Sequence, residues 1–111
     1  MKIEQIDGKE LDDSSYKGVI EDVSYSILVE IFGQPVNDSF DGKTQANWYL
    51  EIDGEKLSIY DWKCYGVPVE LITRWNIGGF TSAAVDKVKE ALGSEGSDIT
   101  TVLSVQGTPI W

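Results

Sequence analysis

The chain has 111 residues, of which 41% are apolar and 11% aromatic, enough for one globular domain with a core of its own. Nine Lys and Arg against nineteen Asp and Glu give a formal charge of −10, which argues against direct nucleic-acid binding because Lys and Arg make the phosphate contacts. With no histidine and a single cysteine, the chain excludes histidine-dependent catalysis, an internal disulfide and a zinc site, and we expect no metal or cofactor.

The first part of the chain predicts short, weakly patterned elements. Residues 1–11 predict an edge hairpin around Asp7-Gly8, residues 12–15 a turn, and residues 18–23 a short strand. The start of the chain has no apolar signal region, and no apolar run approaches the roughly 20 residues of a membrane span. We therefore expect a cytoplasmic protein that does not enter a membrane.

A first helix is predicted over residues 25–32. Ser24 is a suitable N-cap, the apolar residues follow helical spacing, and Gly33 suits the position just after the helix. The β-branched residues of this segment leave a strand as the alternative. A polar loop, residues 34–44, follows.

The segment of residues 46–63 predicts a β-hairpin. Asp53-Gly54 is a strong signal for a two-residue type I′ turn between strands of alternating pattern. The implied register puts three pairs on an apolar face, Ile52 with Glu55, Leu50 with Leu57 and Trp48 with Ile59. It puts three on a wetter face, Glu51 with Lys56, Tyr49 with Ser58 and Asn47 with Tyr60.

The last third predicts a strand, a helix and a strand. Residues 69–77 predict a strand beside the hairpin, residues 82–92 a helix that ends before Gly93, and residues 98–105 a final strand. The predicted fold class is therefore α+β: a mostly antiparallel sheet with a central Asp-Gly hairpin and two helices, packed as two layers in a single domain over residues 1–111.

Acidic residues recur in the turns and polar segments, and together they would make a negative surface attractive to a basic partner. A solvated face that only keeps the protein soluble is the alternative. Paired carboxylates for hydrolysis need a fixed spacing that this pattern does not define, so we predict no catalytic residue. The acidic set is Asp12, Asp13, Glu21, Asp22, Asp38, Asp41, Glu51, Asp53, Glu55 and Asp61. The predicted partner-binding residues are Asp38, Asp41, Glu51, Asp53, Glu55, Tyr60, Asp61 and Trp62.

Large aromatic residues lie on neighbouring predicted strands. Trp48 falls on the apolar face, whereas Tyr60 and Trp62 fall on the opposite face, where they would be exposed if helices cover only the first. An alternative ligand site uses stacking aromatics and the N–H groups of a Gly-Gly helix start, which bind phosphate in other folds. Its residues are Tyr60, Trp62, Trp75, Gly78 and Gly79. Alternatively, the glycines only make a turn.

The chain also carries a set of short blocks that resembles a family of small phage and prophage proteins. The blocks cover about residues 18–92, and asparagine stands at Asn76 where the family frequently has histidine. The blocks are Gly18-Val19-Ile20, Tyr25 with Leu28-Val29, Phe32-Gly33-Gln34-Pro35, Lys43-Thr44 with Trp48, Asp53-Gly54, Ile59-Tyr60-Asp61-Trp62-Lys63 and Trp75-Asn76-Ile77-Gly78-Gly79. The resemblance implies a phage or mobile-element origin and action in the cytoplasm of a bacterial host.

These observations favour a non-enzymatic interaction protein. The expected partner is a host protein with a basic surface, such as a nucleic-acid-handling or antiviral defence protein, which an acidic protein would bind and inhibit. A small-molecule binder that sequesters a nucleotide signal is the alternative, and a structural phage protein, with self-association left open, is a third hypothesis.

Overall fold

A computed structural model describes residues 1–37, 43–64 and 66–95, with side chains up to residue 93. Its five strands form one antiparallel sheet in the order β1-β3-β4-β5-β2. The strands are β1 (Ile3–Gln5), β2 (Ser15–Ile20), β3 (Asn47–Ile52), β4 (Glu55–Tyr60) and β5 (Trp75–Gly79), and the helices are α1 (Tyr25–Phe32) and α2 (Ala83–Glu95). The predicted α+β class is confirmed.

The central hairpin of β3 and β4 is confirmed in its turn and in its register. Asp53 and Gly54 have φ values of 50° and 88°, the positive values that a type I′ turn requires. All six predicted cross-strand pairs are present. On the apolar face, Trp48, Leu50, Ile52, Leu57 and Ile59 are all buried. Turn chemistry and alternation therefore specify the same register.

Helix α1 has the predicted bounds. The Ser24 hydroxyl accepts a hydrogen bond from the Ile27 N–H over 3.4 Å, and Gly33 has a φ of 89° just after the last helical residue. Leu28 and Phe32 face the sheet and are buried. The helix therefore begins and ends where its capping residues require.

Helix α2 packs on the same face of the sheet but runs farther than predicted. Thr81 caps it, its hydroxyl accepting from the Ala83 N–H over 3.2 Å. Gly93, expected just after the helix, is inside it, because the chain remains helical to Glu95. Ala84 is buried against the sheet, and a Cβ on Gly79 would lie 2.7 Å from the Ala84 Cβ. A glycine at position 79 thus permits the close approach of helix and sheet.

Indole rings join the two layers. Trp48 and Trp75 meet edge to face with centroids 5.4 Å apart, and Tyr25 of α1 packs beside both rings. The Trp75 indole N–H donates to the Val23 carbonyl and the Trp48 N–H to the Gly33 carbonyl, each over 2.8 Å. These hydrogen bonds satisfy the polar ends of two almost fully buried side chains.

The predicted N-terminal hairpin is wrong. Residues 3–5 pair with β3, and the Asp7 carboxylate then accepts a hydrogen bond from the Lys9 N–H, which starts the 3₁₀ turn Gly8–Leu11 instead of a returning strand. A Cβ on Gly8 would touch the Tyr49 ring, and Glu10 pairs with Lys56 over 3.0 Å. Residues 6–14 therefore cross the sheet face opposite the helices, from the β1 edge to the β2 edge.

Two other predicted strands are shifted. Strand β2 occupies residues 15–20 rather than 18–23. An irregularity at Lys17 interrupts the alternation of its side chains, so the pattern did not reveal the first three residues of the strand. The segment predicted as a strand over residues 69–77 begins as a 3₁₀ turn, Val69–Leu71, directly after Pro68. Only its end belongs to β5, which includes Gly78 and Gly79 rather than ending before them.

The strand predicted over residues 98–105 lies outside the described residues. Within the described part of the chain, neither helix has the length and apolar character needed to cross a bilayer.

Candidate binding site on the outer face of the sheet

The sheet face opposite the helices, called the outer face here, carries Tyr49, Glu51, Lys56, Ser58 and Tyr60 from the hairpin. The crossing segment covers part of it, so Ser58 is buried. Tyr60 lies at the uncovered end of β4, and Trp62 follows it. Their rings meet edge to face, with centroids 6.5 Å apart, and Trp62 is 48% exposed. The alternation along β4 predicts the placement of Tyr60, whereas Trp62 lies beyond the end of the strand.

Two lysines lie over the same indole. The Lys43 and Lys63 ammonium nitrogens are each 5.6 Å from the Trp62 ring centroid, within the range of a cation–π interaction. Lys43, Tyr60, Trp62 and Lys63 together form the Trp62 cluster. Two of the nine Lys and Arg side chains of the chain therefore lie at one aromatic ring.

The two chain segments that carry the Trp62 cluster are hydrogen-bonded to each other. The Lys63 N–H donates to the Lys43 carbonyl over 2.8 Å. The Gln45 side-chain amide donates to the carbonyls of Cys64 and Val67 over 3.1 and 2.9 Å. The positions of both lysines are therefore fixed relative to one another by backbone contacts, not only by their own flexible side chains.

Asp61 provides the central contact between these segments. Its Oδ1 accepts hydrogen bonds from the N–H groups of Gln45 and Ala46, over 2.7 and 3.0 Å. The residue is only 1% exposed, and its Oδ2 has no hydrogen-bond partner among the described residues. Asp61 was predicted to contact a partner directly, but its burial assigns it to holding the site together instead.

Tyr16, on the edge strand β2, lies beside the Trp62 cluster. It stands opposite Gly78, next to the Tyr60 ring, and is 57% exposed. Burial raises the pKa of the Tyr60 phenol above its ordinary value, and the nearby Tyr16 phenol raises it further. Tyr60 therefore stays neutral, and its hydroxyl remains a hydrogen-bond donor, across the physiological pH range.

The predicted acidic residues do not form one surface. Glu51 is on the outer face, directly across from Glu4 of β1 and Lys56 of β4. Asp53 is at the hairpin turn, where it accepts hydrogen bonds from the Lys2 N–H over 2.8 Å and from Lys87 over 3.4 Å.

Glu55, also near that turn, accepts a hydrogen bond from the Thr81 hydroxyl over 3.0 Å. Asp38 and Asp41 lie outside the described residues. Of the predicted partner-binding set, Tyr60 and Trp62 are in contact, whereas Glu51 is on the outer face at the other end of the hairpin.

The alternative ligand site is divided between two faces. Trp75 is fully buried on the helix side of the sheet, where no ligand on the outer face reaches it. Gly78 and Gly79 lie within β5, several residues before α2, and are not the helix start that the sequence predicted. At that start, Thr81 accepts from the N–H groups of Ala83 and Ala84, which are therefore not available for phosphate.

Among the described residues, no group of three or more Cys, Asp and Glu side chains is arranged to hold a metal ion. Lys43, Lys63 and Gln45 were not predicted to be site residues. Lys63 had a usable signal, since it adjoins Trp62, but Lys43 reaches the indole from a loop that no local pattern connects with it.

No family model, curated protein or solved structure matches the chain, so its function is inferred from its residues and geometry.

Proposed function

We propose that this chain is a non-enzymatic interaction protein that binds a partner protein through the outer face of its sheet. The observation that carries the proposal is the exposed Trp62 packed against Tyr60, at the end of the outer face, which neither α1 nor α2 covers. Trp and Tyr supply large, rigid contact areas, and they are the residues most often found at the energetic centre of protein interfaces. Holding such a pair at the surface favours recognition over a purely structural role.

Charge supports a partner with a basic surface. The formal charge of −10 speeds the approach of a positively charged protein and orients it. On the outer face, Glu4 and Glu51 are direct cross-strand neighbours, with Lys2 3.9 Å from the Glu4 carboxylate and Lys56 directly across from Glu51. Two neighbouring carboxylates are a suitable contact point for a cation of the partner.

The resemblance to phage and prophage proteins supports a partner in the cytoplasm of a bacterial host. Enzymes that handle nucleic acid, including those of antiviral defence, have basic grooves of the required sign. An acidic protein that binds such a groove would inhibit it by occupying the place of the nucleic-acid phosphates.

Affinity capture from a bacterial lysate at low and moderate salt tests this proposal. The capture should be compared between the wild type, Trp62→Ala, and the double variant Glu4→Lys with Glu51→Lys. Both variants are expected to lose the captured protein. The double variant Glu30→Lys with Glu70→Lys, two exposed changes elsewhere on the protein, is the matched charge control and should retain it. Capture that none of the outer-face changes weakens would contradict the proposal.

A small-molecule binder is the second candidate, and the Trp62 cluster is the observation that favours it. Its ligand site contains Tyr60 and Trp62 from the predicted set, but not Trp75, Gly78 or Gly79. It also contains Lys43 and Lys63, which were not predicted. Thermal shift against a panel of nucleotides tests it, with no shift at millimolar ligand as the contradicting result.

A further inference from the structure

We propose that the Trp62 cluster is a binding site for a nucleoside polyphosphate, with Lys43 and Lys63 as the phosphate ligands and Trp62 as the surface on which the base stacks. The inference rests on the second candidate function above and gives it a ligand class and a new set of residues. It is independent of any partner protein.

The first argument is the placement of the positive charge. Each ammonium nitrogen lies 5.6 Å from one ring centroid, so the two are no farther apart than twice that distance. A single chain of linked phosphates has several charged oxygens within such a span. A single anion that contacts both ammonium groups gains two charge-assisted interactions at once.

The second argument is preorganisation. Lys43 and Lys63 come from different segments, which the Lys63–Lys43 backbone hydrogen bond and the contacts of Asp61 and Gln45 hold together. A site whose supporting backbone is already fixed loses less entropy when a ligand binds. Lysines that served only to solubilise an exposed indole would not need that support.

The third argument is the exposed aromatic surface itself. Trp62 is 48% exposed, and the Tyr60 ring stands perpendicular to it at an interplanar angle of 82°. Nucleic bases stack on exposed aromatic rings regardless of base identity, because every base has a π-face. A lysine displaced from the indole by the base keeps a stronger contact, since a charge-assisted hydrogen bond to phosphate exceeds an exposed cation–π interaction.

The net charge restricts the size of the ligand. A long polyanion such as RNA would meet the overall field of a protein with a charge of −10, whereas a single nucleotide contacts only the Trp62 cluster. The expected ligand therefore has one base and at least two phosphates.

Isothermal titration calorimetry on the full chain at low salt tests the proposal with three probes: ATP, adenosine and tripolyphosphate. ATP is expected to bind, and the two fragments to bind at least about tenfold more weakly, since each lacks one half of the recognised chemistry. No heat with ATP at about 10 mM would overturn the proposal, as would either fragment binding as tightly as ATP. Tripolyphosphate equal to ATP would identify a general anion site without stacking.

Single substitutions assign the roles. Lys43→Gln and Lys63→Gln are each expected to weaken ATP binding by about fivefold or more, and Trp62→Leu to weaken it by about tenfold. Lys89→Gln, an exposed lysine on α2, is the control and should change the affinity less than about twofold. An equal loss in Lys89→Gln would show that only net charge matters and would overturn the assignment.

Circular dichroism establishes that each variant is folded. Calorimetry with ATP tests only the nucleotide site, and lysate capture without nucleotide tests only the protein partner. Failure of one proposal can therefore be told apart from failure of the other.

Discussion

The buried carboxylate of Asp61 accepts a hydrogen bond from the backbone N–H of Ala46 over 3.0 Å, fifteen residues earlier in the chain. The same oxygen accepts from the Gln45 N–H. Replacing Asp61 with alanine leaves both donors without that acceptor in an almost solvent-free position. We expect Asp61→Ala to lower the free energy of unfolding by about 3 kcal/mol.

Urea denaturation measures this loss. Asp61→Asn keeps a carbonyl acceptor and should cost less, about 1 kcal/mol. Glu30→Ala removes an exposed acid on α1 and is expected to stay within about 0.5 kcal/mol of the wild type. Equal stabilities for Asp61→Ala and Glu30→Ala would show that the carboxylate does not hold the two segments together.

Two glycines should respond oppositely to alanine. A Cβ at Gly79 would lie 2.7 Å from the buried Ala84 Cβ, so Gly79→Ala forces α2 away from the sheet and is expected to destabilise by about 1–3 kcal/mol. Gly93 is helical, and a Cβ added there would have no neighbour within 4 Å, so Gly93→Ala should stabilise by up to about 1 kcal/mol. Thermal unfolding of both variants checks the signs, and a stabilising Gly79→Ala would refute the close packing.

Asp53 links stability to acid pH. Its pKa is lowered first by the hydrogen bond from the Lys2 N–H and further by Lys87, against a smaller opposing effect of burial. Because the folded-state pKa is below the unfolded value, the contribution to stability is present above about pH 4 and is lost as the pH falls through the folded-state pKa. Asp53→Asn removes the charge but keeps a residue that tolerates the positive φ of the turn.

We therefore expect the wild type to be more stable than Asp53→Asn near neutral pH, and the difference to shrink toward about pH 2. Urea titrations across this range give the difference directly. In a Lys87→Gln background the difference should decrease without vanishing, because the Lys2 N–H remains. A difference that does not change with pH would contradict the role of the carboxylate.

Tyr60 links stability to alkaline pH in the opposite direction. Burial, followed by the nearby Tyr16, raises the pKa of its phenol in the folded state. The folded protein therefore holds this proton to higher pH than the unfolded chain, and the associated stability is present below about pH 10 and is lost as the pH rises above it. Tyr60→Phe should show a shallower alkaline loss of stability.

Absorbance of tyrosinate during a pH titration provides the measurement, with the difference between the wild type and Tyr60→Phe isolating one phenol. Tyr16→Phe should move the remaining transition of Tyr60 toward lower pH. An unchanged Tyr60 transition in that variant would show that the two rings are not electrostatically linked.

The sequence predicted an element correctly where its capping or turn residues and its hydrophobic pattern indicated the same structure. The β3–β4 register follows from Asp53-Gly54 together with alternation, and α1 follows from Ser24 and Gly33. The predicted N-terminal hairpin was wrong because Asp7 caps a 3₁₀ turn, while the true partner of residues 3–5 is β3, far along the chain. The predicted end of the second helix before Gly93 was wrong because glycine is disfavoured inside a helix but not forbidden there.

The site was predictable only where its residues are close in sequence. Tyr60 and Trp62 are two residues apart, and the sequence pattern grouped them although β4 ends at Tyr60. Lys43 and Asp61 have roles that depend on contacts between distant segments. Nothing in the sequence near Asp61 distinguishes a buried carboxylate from an exposed one, so it was grouped with the acidic surface.

The first two strands to be synthesised lie at opposite edges of the sheet, and each pairs with a strand from the middle or end of the fold. On the ribosome, β1 and β2 emerge without a partner, because the inner strands they flank are not yet translated. Neither edge of the sheet can therefore form before its inner neighbour has emerged, since β1 pairs with β3 and β2 pairs with β5.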